Sequence, residues 1–175
     1  YFQTDSYDQL CLRILSQRCR TVAAKYDMSA YVDLILALMM QESSGQGTDV
    51  MQSSEGAYNT QYPQTPNGIT DVDYSIACGI QELKYSMTKA DVTGPNDIAN
   101  IKLALQGYNF GADVYFNYLE KNGITSWSEE SSKAFAEIAS GETKRSKEDP
   151  LYDTAGPWDY GDQYYPEHVL RYYHS

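Results

Sequence analysis

The sequence predicts an all-α domain built around one central, buried helix. Three observations carry that prediction. Apolar residues recur at helical spacing nearly everywhere, the stretch from Val32 to Met40 is apolar almost all round, and no alternating strand pattern or internal repeat is present. The first helix places Leu10, Ile14, Leu15, Cys19 and Val22 on one stripe. Ser29 is positioned to cap the second, which runs through Val32, Leu34, Ile35, Leu36, Leu38, Met39 and Met40 and stops at Gly45. A polar stretch with Gly, Pro and Asn follows to about Thr70.

The third helix reads from about Asp73 to Ala90, with Ile76, Ile80, Leu83 and Met87 on one face. Asn96 or Asp97 caps a fourth, from Ile98 to Tyr108. Gly111 or Ala112 starts a fifth, stopped by Asn122-Gly123. Ser128 caps a sixth, to about Ala139, with Trp127 as its hydrophobic staple. The segment 141–163, charged and then rich in Gly, Pro and aromatics, reads as a long ordered loop. Pro166 fits the first turn of a last helix through Val169, Leu170 and Tyr173.

At 175 residues the chain is long enough for one domain with a real core. Tyr1-Phe2-Gln3 is set aside as a tag remnant, which leaves residues 4–175 as a single domain. Seventeen tyrosines must share the packing, and a ring with a polar tip suits a groove wall. The formal net charge of −11 argues against nucleic-acid binding and against a basic membrane-surface helix. No apolar run approaches the roughly 20 residues of a membrane span. Cys11 and Cys19 lie roughly 12 Å apart along one helix, too far to bridge. All three cysteines, Cys78 included, are expected to be buried thiols, with a bridge from Cys78 as the alternative.

Glu42 is the first candidate for chemistry. It follows Met39, Leu38 and Ile35 by three, four and seven residues, so it emerges from a buried stripe at a helix C-terminus. Low dielectric and the negative end of the helix dipole both disfavour its ionised form. A carboxylic acid held protonated near neutral pH is a general acid. The bland alternative is a last-turn surface glutamate. Ser43 and Ser44 are placed to orient the carboxyl. Asp49, seven residues on in a Gly-containing loop, is expected to stay ionised. One raised acid beside one ionised carboxylate is what glycoside hydrolysis requires. The alternative for Asp49 is a turn residue bonding its own backbone. Glu55 competes for the second role. At another helix end, Tyr108-Asn109 offers a ring face with directed donors and acceptors, suited to an acetamido sugar; core packing of Tyr108 is the default.

Other chemistries fit poorly. His168 and His174 do not share a helix face, and no cysteine joins them at zinc-ligand spacing. No G-x-S-x-G and no phosphate-cradling loop occur. No metal and no cofactor are expected.

Several motifs in order resemble one family. Met40-Gln41-Glu42-Ser43-Ser44-Gly45 and Met51-Gln52-Ser53-Ser54-Glu55 are similar to the active-site stretch of lysozyme-like muramidases. Ser75-Ile76-Ala77-Cys78-Gly79, Gln106-Gly107-Tyr108-Asn109-Phe110-Gly111, Tyr160-Gly161-Asp162 and the segment Tyr165 to Tyr173 continue the match. The order resembles the lysozyme-like domain of CwlT-type cell-wall hydrolases of Gram-positive conjugative elements, relatives of goose-type lysozymes and soluble lytic transglycosylases. The resemblance implies an α-helical lysozyme-like fold with a groove for peptidoglycan glycan strands. It implies Glu42 as general acid and Asp49 as second carboxylate, with Gln52, Tyr108 and Asn109 lining the groove; Ser43 and Glu55 complete the candidate substrate-binding set. It also implies a wall-facing, extracellular setting, a tether outside this chain, a fused NlpC/P60-type peptidase domain, and a conjugative secretion apparatus as partner. The sequence departs from the wider transglycosylase pattern where Asp49-Val50-Met51-Gln52 replaces Gly-Leu-Met-Gln. Three readings stay open: muramidase, lytic transglycosylase and non-catalytic peptidoglycan-binding module.

Overall fold

The computed structural model describes the backbone of residues 2–174 and the side chains of residues 10–174. The fold is helical, with no strand among the described residues beyond one isolated antiparallel bridge, Lys144 with Trp158. The chain clusters into two compact units, Tyr1–Lys84 with Leu170–Ser175, and Tyr85–Val169.

The first unit holds α1 (Phe2–Lys25), a 3-10 turn (Ser29–Tyr31), α2 (Val32–Ser43) and α3 (Val72–Lys89) up to Lys84. Helix α2 is the expected central one: Leu34, Ile35 and Leu38 are fully buried. It ends where Ser44 adopts a left-handed conformation (φ 56°) and its N–H bonds the Met40 carbonyl. Gly45 follows at φ 73°, and a Cβ there would meet Leu15 Cδ1 at 2.8 Å. The turn thus favours glycine, and a side chain there would also have to displace the end of Leu15 from α1, which packs on α2.

Three expectations are corrected here. Ser29 does not cap α2. The N-cap is Tyr31 with no side-chain bond, because Ser29–Tyr31 is spent on the 3-10 turn. The α1 stripe is buried only in its second half: Cys19 and Val22 are buried, whereas Leu10 (54%) and Ile14 (46%) are exposed. Cys11 is an exposed thiol, while Cys19 and Cys78 are buried; all three are free. Burial pushes Cys19 up to about 12 and Cys78 up to about 11.

The second unit holds α4 (Ile98–Phe110), α5 (Ala112–Lys121), α6 (Glu129–Ala139), α7 (Pro150–Thr154) and α8 (Tyr165–Leu170) up to Val169. The caps follow the sequence reading. The Asp97 side chain accepts from Asn100 N–H, and Ser128 Oγ accepts from Ser131 N–H. An aromatic core closes the unit. Phe110 stacks on Phe135 (centroids 4.9 Å), with Tyr115 and Tyr160 tilted or edge-on around them. The segment 141–163 is not all loop. Asp149 caps α7 and Pro150 occupies its first turn, a start signal masked by the charged run around it. Helix α8 ends at Leu170, short of the expected Tyr173.

Candidate active site

Within the first unit, α2 positions Glu42 in its last turn, half-buried. Its neighbour Ser43 ties the helix end to the following loop. Ser43 Oγ donates to the Val50 carbonyl at 2.7 Å and accepts from Gly45 N–H at 3.1 Å. Ser44 Oγ bonds back to the Met40 carbonyl at 3.5 Å. Both hydroxyls therefore act on the backbone that carries Glu42.

Asp49 is the organising centre of the loop. Its side chain is 2% exposed. Oδ1 accepts from Ser75 Oγ (2.7 Å) and Ser53 N–H (3.1 Å); Oδ2 accepts from Ser54 N–H (3.3 Å) and from Ser54 Oγ in a very short bond. Four donors on two oxygens satisfy a carboxylate without any cation. The network then spreads. Ser54 Oγ accepts from Ile69 N–H (3.1 Å), Thr48 Oγ1 donates to the Ile69 carbonyl (2.8 Å), and Asn59 Nδ2 donates to the Ser54 carbonyl (2.7 Å). The polar stretch between α2 and α3 is thus a folded structure with its polar groups paired inside it.

That loop is seated on α3. Ser75 Oγ also accepts the Met51 N–H at 3.1 Å, and Met51 is fully buried. A Cβ on Gly79 would lie 2.6 Å from Met51 Cβ, so only glycine lets the loop lie this close to the helix. Gln52, at φ 48°, is exposed; its Nε2 donates to the Asp49 carbonyl and to Asn67 Oδ1. Glu55 is exposed on the same loop.

The residue that sequence reasoning missed is Glu82, on α3. Its Oε1 is sealed from solvent and has no hydrogen-bond partner among the described residues. Burial, and then the like charges of Asp49 and Glu42, push its carboxyl up to about 8. Glu42, Asp49 and Glu82 therefore share one electrostatic neighbourhood. A signal was present: Glu82 follows Ser75, Cys78 and Gly79 by seven, four and three residues, and so shares the face of α3 that meets the loop.

In the second unit, Tyr108 and Asn109 are half-buried in the last turn of α4. Asn109 Oδ1 accepts from Asp162 N–H at 2.8 Å, and no acceptor among the described residues takes its Nδ2. Gln106 Nε2 donates to the Asp162 carbonyl (3.0 Å), and Trp127 Nε1 donates to Gln106 Oε1 (3.0 Å). Arg145 holds the same segment, donating to the carbonyls of Gly156 and Gly161 at 2.8 and 2.9 Å. Tyr160 is pinned by a 2.8 Å bond from its hydroxyl to the Phe110 carbonyl and by the aromatic core. Trp158 and Tyr164 carry Lys144 and Lys133 over their rings. No group of three or more metal-ligating side chains occurs among the described residues.

A helical domain with a glutamate at the end of its buried helix, followed by a loop folded on a carboxylate, defines a class. The chain matches the Lysozyme-like family over residues 15–173, and it belongs to that family. It is 32% identical over 160 residues to the bifunctional muramidase/DL-endopeptidase CwlT of Bacillus subtilis, covering 89% of this chain and 41% of CwlT. It is 37% identical over 100 residues to a pneumococcal vaccine antigen A homolog of Streptococcus pyogenes, covering 57% of this chain and 45% of that protein. Among solved structures, a Staphylococcus aureus protein described as similar to lipoprotein, NLP/P60 family, superposes with a TM-score of 0.76 at 27% identity. That match covers 94% of this chain and 53% of the other. The chain thus spans about half the length of the relatives it matches.

Proposed function

We propose that this domain cleaves the β-1,4 bond between N-acetylmuramic acid and N-acetylglucosamine in peptidoglycan, with Glu42 as general acid. The observation that carries this reading is Glu42 itself. It is a half-buried carboxyl at the C-terminal end of a buried helix, with two further carboxyls in its electrostatic neighbourhood. That setting favours a carboxyl that keeps its proton to deliver to a leaving oxygen. Glu42 protonates the glycosidic oxygen, the C1–O bond breaks, and C1 of muramic acid takes on oxocarbenium character. Similarity to a muramidase supports water as the attacking group, its oxygen bonding to C1 while Glu42, now a carboxylate, takes its proton. The longer proteins it resembles support placing the domain in a wall-facing protein that also carries a peptide-cleaving domain.

A second reading rests on Asp49. Both its oxygens are occupied by four protein donors, and the side chain is almost wholly buried. Such a carboxylate is poorly placed to activate water. This favours attack by the muramic acid's own 6-hydroxyl, with Glu42 taking that proton as base and leaving a 1,6-anhydro end. In either reading Asp49 acts by holding the loop.

The test is release of soluble fragments from purified peptidoglycan, with co-sedimentation measured in parallel. Wild type is expected to solubilise wall, whereas Glu42→Gln still binds but releases nothing. Binding without release by wild type would instead mean a non-catalytic wall-binding module.

A further inference from the structure

Glu82 has no place in the chemistry above, yet its setting is specific. Its carboxyl lies directly over Gly56: a Cβ on that glycine would sit 1.2 Å from Oε1 and 2.4 Å from Cδ. Gly56 is absent from the residues at positive φ, so its backbone does not call for glycine; the room for Glu82 does. Gly56 sits in the turn 53–59, tied by its own N–H to the Ser53 carbonyl and by its carbonyl to Asn59 N–H. Ser53 and Ser54, at the start of that turn, supply three of the four donors to Asp49.

The groups acting on Glu82 all oppose its charge. Asp49 from the loop and Glu42 from α2 are both acids, and each raises the Glu82 carboxyl. Cys78, one turn earlier on α3, is a buried thiol whose own ionisation Glu82 disfavours. Lys84, the nearest cation in sequence, donates to the Tyr26 carbonyl at 2.7 Å. A carboxylate at this place would be desolvated, unpaired and beside two like charges. The neutral acid is tolerated.

We propose that Glu82 is a positioning residue for the glycan-cleaving site: its carboxyl, seated over Gly56, holds the 53–59 turn against α3 while it carries a proton and releases that turn when the proton is lost. This rests on the proposed function only for its effect on activity; its structural part stands apart. Loss of the proton leaves an anion facing Asp49 and Glu42, which moves toward water and takes its packing off Gly56. The Asp49 network loosens and Glu42 loses its supporting loop. Wall cleavage then falls on the alkaline side for a reason separate from deprotonation of Glu42.

The experiment is amide hydrogen exchange of residues 53–59 at pH 6 to 9, corrected for the intrinsic exchange rate, alongside wall cleavage over the same range. Wild type is expected to lose tenfold or more of its protection between pH 7 and 9, with kcat falling in step. Glu82→Gln, which keeps the shape without the charge, is expected to hold protection flat and to keep more of its pH 6 cleavage at pH 8.5 than wild type does. Gly56→Ala, which evicts the carboxyl, is expected to show at pH 6 the exchange that wild type shows at pH 9. Glu42→Gln keeps the exchange transition and loses cleavage throughout. Identical exchange profiles for wild type and Glu82→Gln overturn the proposal. Loss of cleavage in Glu42→Gln leaves the proposed function standing in that event, and retained cleavage there overturns the function instead.

Discussion

Ser75, in the first turn of α3, donates from Oγ to Asp49 Oδ1 at 2.7 Å and accepts the Met51 N–H at 3.1 Å. One hydroxyl thereby joins the carboxylate that organises the loop, the loop backbone and the helix beneath it. All three groups are buried. Ser75→Ala leaves a buried N–H unpaired and removes one of four donors from a buried carboxylate. The expected cost is about 1–3 kcal/mol. Thermal unfolding measures it, as a Tm lowered by ~2–4 °C per kcal/mol for a chain of this size.

Asp49→Asn turns one acceptor oxygen into a donor facing the Ser53 or Ser54 groups. It is expected to lower stability and activity together, with the activity loss largely recovered at low temperature where the loop stays folded. A stable, folded Asp49→Asn protein with activity down ~100-fold would assign Asp49 a direct chemical role instead.

The helices were legible because their signals are local. The apolar run of α2 and the Asp97 and Ser128 caps are read within a few residues of themselves. Helix α7 was hidden because its Asp-Pro start lies inside a charged stretch that reads as loop. The α1 stripe showed spacing but not what would cover it, and Leu10 and Ile14 are exposed. Glu42 was legible from its place after a buried stripe. The fate of Asp49 was not, because Ser75 lies 26 residues away and no local rule joins them. Glu82 was missed for the same reason: its setting is made by Gly56, which only the fold brings to it.

Gly79→Ala forces the Met51 side chain off α3, since the new methyl would lie 2.6 Å from Met51 Cβ. Overpacking of this kind costs about 1–3 kcal/mol. Chemical denaturation should show a lowered midpoint with an unchanged slope. Unaltered stability would mean that the loop is not seated on the helix as described.

Stability should depend on Glu82 with a definite sign. Its carboxyl sits at about 8 in the folded protein, against an ordinary 4.5. The folded state therefore binds more protons than the unfolded one between those values, and stability falls as pH rises from about 4.5 to about 8. Glu82→Gln removes that fall. Its Tm is expected to match wild type near pH 4 and to exceed it by several degrees at pH 8. A Glu82→Gln protein less stable than wild type at pH 8 contradicts this.

The cysteines should separate by reactivity. Cys11 is exposed, whereas burial pushes Cys19 up to about 12 and Cys78 up to about 11. One thiol per chain is expected to react with a disulfide reagent in the native protein at pH 8, and three after denaturation. Three fast thiols in the native state would mean that the helices around Cys19 and Cys78 open readily.

The decisive measurement is mass spectrometry of fragments released from purified peptidoglycan in ¹⁸O-labelled water, comparing wild type with Glu42→Gln. New muramic acid ends are expected from wild type and not from Glu42→Gln. Label at those ends identifies water as the attacking group, and unlabelled 1,6-anhydro ends identify the sugar's own hydroxyl. Fragments without new muramic acid ends, or equal release by Glu42→Gln, would contradict glycan cleavage by Glu42.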